Sequence, residues 1–571
     1  MNALDYLVLV GTLLGIAAFG ISRTRGRRDL QSYLHGSTQT RWFTIGVSVM
    51  ATQASAITFM STPGQGYQDG LGFVQNYFGA PLALILIAAV FVPIYRRLNV
   101  YTAYEFLGQR FDGKTRLLGA ALFLLQRGLG AGITIYAPAI VLSTVMGWPL
   151  GLTIIGSGLL VTLYTVAGGS DAVSLTQKWQ MGVIFAGMIA AFVVLLTKLP
   201  ADLSLHEAFT VAGGFDKLHA VDYSLDPDRR YTIWSGVLGG MFLALSYFGT
   251  DQSQVQRYLA GASVRESRLG LMFNAIFKIP MQFFILLLGA FVFVFYQFER
   301  PPVFFNQPAW QRAAAHDSSG KLHGLENDFA AAHAEKKTQI ETWLAAERAH
   351  ETAKADAARN AARSAQARIE QIRKDAKAAL VAADPAAPTN DADYVFITFI
   401  LQHLPHGMIG LLVTVFFAAA LNSKAAELNA LGSSTTVDFY RPIRGAKASD
   451  AECVRATRWF TALWGLVAIG FALFAHLSEN LIQASNILGS IFYGVMLGLF
   501  LVAFFLKNIR GTAVFFGALA AQALVFVLYA TLSISYLWYN VIGCVACMAF
   551  AALLQPVLGR EQPRMDTDEH G

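Results

Sequence analysis

Thirteen apolar runs of membrane-spanning length constrain the fold of this chain more than any other feature of its sequence. A helix needs about 20 consecutive apolar residues to cross the hydrocarbon core of a bilayer. Runs of that order lie near 5–22, 42–62, 74–95, 116–143, 149–167, 179–198, 232–256, 268–297, 407–436, 456–476, 481–506, 512–532 and 536–556. We therefore predict an all-α membrane protein of about thirteen transmembrane helices that lies in a lipid bilayer.

Composition agrees with a polytopic membrane protein and disfavours a nucleic-acid partner. Of the 571 residues, 55% are hydrophobic and 14% are charged, whereas soluble domains carry about a quarter charged residues. The net charge of +6 is interpreted as a topology signal, because basic residues concentrate on cytoplasmic loops. Arg23, Arg25, Arg27 and Arg28 follow the first run. They predict an inner (plasma) membrane protein with its N-terminus outside and its C-terminus in the cytoplasm.

The second apolar run is interrupted by polar residues and helix breakers, which a simple membrane-spanning helix lacks. Polar side chains lie in its middle and helix breakers at its end: Thr52, Gln53, Ser55, Thr58, Pro63, Gly64 and Gly66. Backbone polar groups in hydrocarbon must be satisfied internally, so such an interruption survives where freed carbonyls line a cavity or bind an ion. The pattern indicates a broken helix at a binding site. The alternative is a Ser/Thr-rich face for close helix packing.

The seventh apolar run carries a second interruption, at 246–259 (SYFGTDQSQVQRYL). Gly249 and Asp251 lie there, and an ionisable group inside a membrane span costs about 3 kcal/mol or more unless it is paired or functional. The two interrupted runs are five spans apart. They therefore cross the membrane in opposite directions, as an inverted repeat of five helices requires.

The ninth apolar run supplies a third polar patch. Ala419, Asn422 and Ser423 follow one another at helical spacing, so their oxygens can meet the broken second span on one face. Na⁺ takes oxygen ligands, and small residues let helices approach to coordination distance. This favours a cation site, although small residues with a hydroxyl also occur in ordinary packed membrane helices.

Six motifs together resemble the sodium/solute symporter family, which includes sodium-coupled sugar, monocarboxylate, multivitamin and iodide carriers. They are ATQASAITFMSTPGQGY at 51–67, TAYEFLGQRF at 102–111, YAPAIVLSTVMG at 136–147, GGSDAVSLTQKWQ at 168–180, GTDQSQVQRYLAG at 249–261 and ELNALGSSTTVDFYRP at 427–442. The resemblance covers about residues 5–510, except 300–392. It implies a leucine-transporter-like fold with two inverted five-helix repeats, alternating access, and one Na⁺ between the first and eighth core helices.

Domain boundaries follow from the runs and the resemblance. We predict an extra N-terminal helix with a basic loop (1–41), a first five-helix repeat (42–200), the start of a second repeat (201–299), a charged helical extracytoplasmic insert (300–393), the rest of the second repeat (394–506), and two additional helices with a short cytoplasmic tail (507–571). The insert is polar, and its centre at 334–380 is rich in Ala, Lys, Glu, Arg and Gln. It is predicted to form a long solvated helix or a hairpin. It serves either as a spacer or disordered insert, or as an arm at 325–382 for an extracytoplasmic partner.

The resemblance implies the ligands of the Na⁺ ion. They are the Ala51, Ala54 and Ala419 carbonyls and the side chains of Asn422 and Ser423. The family usually has two hydroxyl residues at the last two positions, so Asn422 departs from its pattern. Some bacterial members hold an additional Na⁺ with a carboxylate where this chain has Gln177. We therefore expect one Na⁺ per cycle.

The resemblance also implies a solute site between the broken helices and the tenth core helix. The matching positions are Gln53, Thr58, Tyr77, Asp251, Lys278 and Gln483. Lys278 matches a lysine of the sugar carriers, but Tyr77 replaces their acid and Thr58 their glutamine. The YAPA and QVQRY stretches look more like the monocarboxylate, vitamin and iodide branch.

Arg127 raises a separate question, because it lies midway along the fourth span. A buried arginine is a natural partner for a substrate carboxylate. The alternative is a structural ion pair with Asp251 or Glu427. Lys424 and Glu427 are three residues apart on one helix and are expected to neutralise each other.

The sequence therefore predicts a Na⁺-coupled symporter that imports a small polar solute, with Na⁺ as its coupling ion. A sugar or sugar acid is the first choice of solute, and a monocarboxylate or vitamin-like anion is the alternative. A non-transporting sensor on the same fold is a further alternative. No nucleophile–base set or metal-ligand cluster shares a face, so no catalytic residue is predicted and an enzyme is disfavoured.

Overall fold

The fold is built from α-helices, and no β-sheet occurs in the described residues. The structure is a computed structural model that describes residues 2–12, 40–98, 100–317, 319–385, 387–445, 449–474 and 480–558. For 167–176, 178–179 and 421–422 it describes the backbone alone.

The first half of the chain contains twelve α-helices in the described residues. They are α1 (Ala3–Thr12), α2 (Trp42–Gln53), α3 (Ala56–Asp69), α4 (Ala80–Leu86), α5 (Val92–Leu98), α6 (Ala103–Arg110), α7 (Gly113–Met146), α8 (Leu150–Thr197), α9 (Leu205–Gly214), α10 (Gly240–Gly249), α11 (Gln252–Leu259) and α12 (Val264–Phe298). A 3₁₀ segment (Gly70–Tyr77) follows α3, and π-helical turns join α4 to α5 (Ile87–Phe91) and precede α10 (Ser235–Gly239).

The second half contains the insert and the remaining core helices. Its elements are α13 (Gln307–His316), α14 (Lys321–Arg348), α15 (Thr352–Ala383), α16 (Ala392–His403), α17 (Met408–Ser434), α18 (Arg441–Arg444), α19 (Asp450–Phe474), α20 (Leu481–Phe505), α21 (Gly511–Thr531) and α22 (Leu537–Leu558). A π-helical segment (Thr435–Tyr440) joins α17 to α18.

Most residues of the predicted apolar runs lie on helices where the structure describes them. Nine helical stretches of the described chain are long and apolar enough to cross a membrane, and three shorter apolar helices accompany them. The number of long stretches is lower than thirteen because some runs are split by breaks and the run at 5–22 lies largely outside the described residues. The runs at 149–167 and 179–198 share one continuous helix, α8.

Both predicted helix interruptions are present. Ala54 and Ser55 separate α2 from α3, and Ser55 has extended backbone angles (φ −75°, ψ 175°). Thr250 and Asp251 separate α10 from α11. The Asp251 side chain caps α11 by accepting from the Ser253 N–H at 2.9 Å, so the second break is fixed by its own side chain.

Glycines allow the broken helix α3 to pack directly on backbone. A Cβ on Gly289 of α12 would overlap the Pro63 carbonyl of α3. A Cβ on Gly66 would overlap the Leu286 carbonyl, and a Cβ on Gly64 would overlap the Ala392 carbonyl of α16. Small residues are what close approach of membrane helices requires. These contacts hold α3 against both neighbours.

The insert forms a docked helical hairpin, which we call the arm (α14 and α15). Its helices bury an apolar seam that includes Phe329, Trp343 and Ile369. Trp343 is 1% exposed and lies against Gly214 at the end of α9. His333 donates from Nε2 to the Tyr296 carbonyl of α12 at 2.9 Å. The arm is thus a helical hairpin whose alanine-rich faces pair with each other, rather than a disordered spacer.

Candidate functional site

A cavity with many polar side chains lies where the two broken helices meet α7, α12, α17 and α20. Its volume is about 100 Å³. Its lining includes polar side chains of every one of these elements: Thr52, Gln53, Ser55, Thr58, Asn76, Tyr77, Gln126, Arg127, Thr134, Tyr247, Lys278, Ser423, Glu427, Ser485, Asn486 and Tyr493. We call it the central cavity.

The break between α2 and α3 releases two backbone carbonyls. The Ser55 N–H donates to the Gln53 carbonyl at 3.0 Å, and the Thr58 N–H donates to the Ser55 carbonyl at 2.9 Å. In a continuous helix these N–H groups would bond Ala51 and Ala54, four residues earlier. The Ala51 and Ala54 carbonyls are thus free of their helical partners in the described backbone. They are the two carbonyls predicted to bind Na⁺.

Helix α17 reaches the same break. Ser423 is 1% exposed and donates from Oγ to the Thr52 carbonyl at 3.1 Å. Ala419 lies one turn earlier on α17 and is also buried. The Asn422 side chain lies outside the described residues. The structure therefore brings Ser423 to the α2–α3 break, and a ring of carbonyl and hydroxyl oxygens is a donor set that suits a hard cation.

Gln177 of α8 contacts α2 through its neutral amide. Ser48 donates to Gln177 Oε1 at 2.6 Å, and Gln177 Nε2 donates to Thr52 Oγ1 at 3.4 Å. The neutral amide thus engages two hydroxyls of α2 without bringing a negative charge.

Arg127 of α7 is engaged by protein side chains. Its guanidinium donates to Asp251 Oδ2 at 3.0 Å from Nε, to Glu427 Oε1 at 3.3 Å from Nη1 and to the Tyr493 hydroxyl at 2.7 Å from Nη2. The Tyr247 ring centroid lies 5.2 Å from its Cζ. The structural ion pair weighed from the sequence is therefore present. Asp251 contacts Arg127 and does not line the cavity.

Lys424 completes this buried charge group. Its Nζ donates to Glu427 Oε2 at 3.0 Å and to the Ala131 carbonyl. Glu427 is therefore shared between Lys424 and Arg127, while Asp251 pairs with Arg127 alone. The two cations and two acids balance, as buried charges must to remain ionised.

Lys278 of α12 is a buried cation that, unlike Arg127 and Lys424, contacts no acid of the described chain. It is 2% exposed, and its Nζ lies 4.8 Å from the centre of the Tyr77 ring and 3.4 Å from Gln282 Oε1. No carboxylate of the described chain lies within ion-pair distance of it. Lys278 thus places a donor on the cavity wall without a counter-ion of its own.

Gln483 lies away from the central cavity. It accepts from Arg230 Nη1 at 3.1 Å and donates to the Tyr231 hydroxyl at 3.1 Å, and it lines a separate cavity nearer the arm. Asn486, one turn further along α20, lines the central cavity instead. Sequence reasoning missed Asn486 and Asn76, although helical spacing from Gln483 and the proximity of Tyr77 pointed toward them.

The arrangement defines a class of protein. A helical membrane protein in which two broken helices meet at a polar cavity has the architecture of a secondary transporter. The chain belongs to the sodium:solute symporter family, whose family model matches residues 33–320 and 376–522.

Several characterised transporters are similar to this chain. The Xenopus laevis sodium-coupled monocarboxylate transporter 1 is 26% identical over 91% of this chain and 71% of its own length. The rabbit (Oryctolagus cuniculus) sodium-dependent multivitamin transporter is 25% identical over 92% and 70%. The human sodium/iodide cotransporter is 32% identical, and the match spans 51% of this chain and 44% of that relative.

A solved structure shares the fold. A Na⁺-coupled sialic acid symporter in a substrate-bound outward-open state aligns with a TM-score of 0.73 at 22% identity, covering 97% of this chain and 98% of that chain. The chain is therefore a multi-pass membrane transporter that couples Na⁺ to a small-molecule solute, with the leucine-transporter-like fold that the sequence predicted.

Proposed function

We propose that the chain imports a small hydroxylated organic acid, such as a sugar acid, together with Na⁺. The observation that carries the proposal is Lys278, a buried cation on the cavity wall with no carboxylate of the described chain to neutralise it. A buried charge needs a partner, and a substrate carboxylate supplies one. Arg127 is excluded from this role because its donors already engage Asp251, Glu427 and Tyr493.

The other polar groups of the cavity suit hydroxyls. Gln53 Oε1 has no hydrogen-bond partner within the described part of the chain, and Thr58, Asn76 and Asn486 line the same wall. Uncharged donors and acceptors of this kind orient a polyhydroxylated ligand. A solved symporter of the same fold is named for sialic acid, which is a sugar acid.

A monocarboxylate without further hydroxyls is the second candidate. The Xenopus laevis and mouse (Mus musculus) sodium-coupled monocarboxylate transporters 1 match this chain over 71% and 72% of their own length. Apolar side chains of Ile57, Leu243 and Phe248 also line the cavity. Such a solute would place its carboxylate on Lys278 and its chain on these residues.

Na⁺ is proposed to bind at the contact between the α2–α3 break and α17. Its ligands would be the Ala51, Ala54 and Ala419 carbonyls with the side chains of Ser423 and Asn422. Binding there favours the state in which α17 and the break are in contact, which is a population shift driven by differential affinity. With the N-terminus outside and the C-terminus in the cytoplasm of a plasma membrane, the membrane potential contributes about 2.3 kcal/mol per charge per 100 mV to uptake.

The test is uptake into proteoliposomes with and without an inward Na⁺ gradient. Labelled glucose, galactose, sialic acid, lactate and pantothenate are compared. We expect Na⁺-dependent uptake of carboxylates, which Lys278→Gln lowers at least about tenfold by removing the cation that faces the cavity. Lys354→Gln, a change on the exposed surface of the arm, serves as the control.

Each of the other outcomes has a definite meaning. Uptake of a neutral hexose alone would reject the organic acid. Carboxylate uptake that is unchanged in Lys278→Gln would reject Lys278 as the anion partner. Solute binding without uptake in any gradient would favour the sensor on the same fold.

A further inference from the structure

A second cavity lies beneath the arm, apart from the central cavity. Its volume is about 340 Å³, and it is enclosed by the end of α3, the segment after α9, the end of α12 and the arm. We call it the arm chamber. Five basic side chains line it: Lys217, Lys336, Arg373, Lys374 and Lys377. The acidic lining residues of the chamber are Asp69 and Glu370.

The basic side chains are held in different ways. Arg373 and Lys377 contact the buried Asp391 carboxylate at 2.6 Å and 3.2 Å, so they are partly neutralised. Lys217 donates to the Gln68 carbonyl, and its Nζ lies 4.5 Å from the centre of the Phe293 ring. The five basic side chains face three acids, Asp69, Glu370 and Asp391, so the lining remains positive.

Lys336 is the residue that points to a ligand. It is 3% exposed, and its Nζ donates to Gln366 Oε1 at 2.9 Å. No carboxylate of the described chain lies within ion-pair distance of it. Glu370 reaches Lys336 only through the Gln366 amide, whose Nε2 donates to Glu370 Oε1 at 3.0 Å. A buried lysine with no carboxylate in direct contact is stabilised in its charged form by an added anion.

A second polar group of the chamber is unsatisfied. Gln297 is 1% exposed and donates from Nε2 to the Phe293 carbonyl at 2.7 Å. This bond fixes the amide orientation, and Gln297 Oε1 has no hydrogen-bond partner among the described residues. A buried acceptor of this kind calls for a donor such as a hydroxyl. The remaining wall is apolar, with Phe329 and Ile369.

We propose that the arm chamber binds an organic hydroxycarboxylate, with its carboxylate on Lys336, a hydroxyl on Gln297 and its apolar part against Phe329 and Ile369. The chamber adjoins the cavity that contains Gln483, since Gln68 and Asp69 line both. It is a site formed in part by the insert. It does not depend on Lys278 or on Na⁺.

The test is calorimetric titration of the purified full-length chain with mandelate, which carries a carboxylate, an α-hydroxyl and an apolar ring. Mandelamide is the matched neutral ligand. The titration is run without Na⁺ and in a Lys278→Gln background, so that a carboxylate in the central cavity makes no contribution. We expect saturable mandelate binding that is at least about tenfold tighter than mandelamide binding.

Variants of the arm distinguish a loss of binding caused by the removed charge from one caused by misfolding. Lys336→Gln should weaken mandelate binding about tenfold, and Lys336→Arg should keep it within about threefold. Lys374→Gln, on an exposed lining residue, should weaken binding about threefold without disturbing packing. Lys354→Gln, outside the chamber, is the control. Thermal unfolding of each variant shows that it remains folded.

The proposal fails on any of four results. The first is that the folded chain does not bind mandelate, and the second is that it binds mandelamide with the same affinity as mandelate. The third is that inorganic phosphate, at the same concentration as mandelate, displaces it fully. The fourth is that Lys336→Gln, Lys374→Gln and Lys354→Gln all bind mandelate with the same affinity. Because the titration needs neither Na⁺ nor Lys278, none of these results bears on the proposed uptake through the central cavity.

Discussion

Lys278 and Lys336 are the same residue type in two similar surroundings. Each is almost fully buried, and each bonds a glutamine amide oxygen, at 3.4 Å for Lys278 and 2.9 Å for Lys336. A buried ammonium is destabilised by the loss of water and recovers stability when an anion arrives. If both proposed sites bind anions, each anion should stabilise the protonated form of its lysine.

Anion binding at Lys336 should depend on pH. Burial, with the nearby Arg373, lowers the pKa of Lys336 to about 7, while Glu370 opposes the shift and Lys217 adds to it. Lys336 is charged below that pH and neutral above it. Mandelate affinity should fall as the pH rises from about 5.5 to about 8.5. Calorimetric titration across this range measures it.

Lys336→Arg is the control for this pH dependence, because a guanidinium stays charged throughout the range. Its affinity for mandelate should be nearly constant. If Lys336→Arg and the unmodified chain have the same pH profile, a different group titrates.

The Ser423 hydroxyl is the side-chain oxygen of the described chain proposed to bind Na⁺. Ser423→Ala should raise the Na⁺ concentration for half-maximal uptake at least about tenfold, because one ligand is lost. Ser423→Thr keeps the hydroxyl and should retain most of the affinity. The measurement is the Na⁺ dependence of initial uptake rates, and an unchanged dependence in Ser423→Ala would remove α17 from the proposed site.

At the scale of helices, the interruptions were predictable, but the sequence left open whether Arg127 pairs with an acid of the chain or with a solute. Thr52, Ser55 and Asp251 marked the breaks because polar residues inside hydrocarbon need a structural reason to be there. The engagement of Arg127 depends on α7, α11, α17 and α20 meeting in space, which no spacing along the chain reveals. Gln483 was placed on the solute site by resemblance, but α20 turns it toward Arg230 and Tyr231.

The contacts of the arm were also not predictable from the sequence. Its composition predicted solvated helices, and the alternation of alanine with charge concealed a buried face. Ala358, Ala362 and Ala365 are buried in α15, where their small size lets α14 approach. A helix face that packs through alanine can be buried even where the segment contains few large apolar residues.

The close contacts at the glycines between α3 and its neighbours predict that a larger residue there lowers the stability of the protein. Gly289→Ala places a methyl group where the Pro63 carbonyl lies, so α3 and α12 must separate. We expect a loss of about 1–3 kcal/mol in stability from overpacking. Gly156→Ala on α8, where a Cβ meets nothing within 4 Å, is the matched control and should be neutral or slightly stabilising. Thermal unfolding in detergent compares the two, and equal melting temperatures would contradict the close contact.

For the whole molecule, the arm is fastened at two ends of different character. At its root, the fully buried Asp391 accepts from Arg373 at 2.6 Å and from the Phe305 N–H at 2.8 Å. At its tip, Arg348 pairs with Glu207 at 2.5 Å, and its side chain is 46% exposed. Buried pairs are costly to break on one side, and exposed pairs contribute little.

Removing the root arginine should therefore undock the arm. Arg373→Ala leaves Asp391 buried with Lys377 as its remaining ion-pair partner, and we expect a loss of up to about 3–5 kcal/mol. Arg348→Ala at the tip should lose no more than about 1 kcal/mol. Limited proteolysis of the arm and thermal unfolding measure both. The double change Arg373→Ala with Asp391→Asn should recover part of the loss, and no recovery would indicate that packing of Arg373 dominates.

The two kinds of fastening give the arm an unequal response to salinity. Dissolved ions screen the exposed pairs at the tip over about 10 Å at 0.1 M, while the buried root is shielded from them. We therefore expect salt to weaken the Arg348 pair at the tip and to leave the Asp391 pairs at the root largely unchanged. Trp343, buried against Gly214 near the tip, does not depend on charge and keeps the hairpin docked. In brine the arm thus loses only its surface attachment, so its position on the bundle tolerates a wide range of salinity.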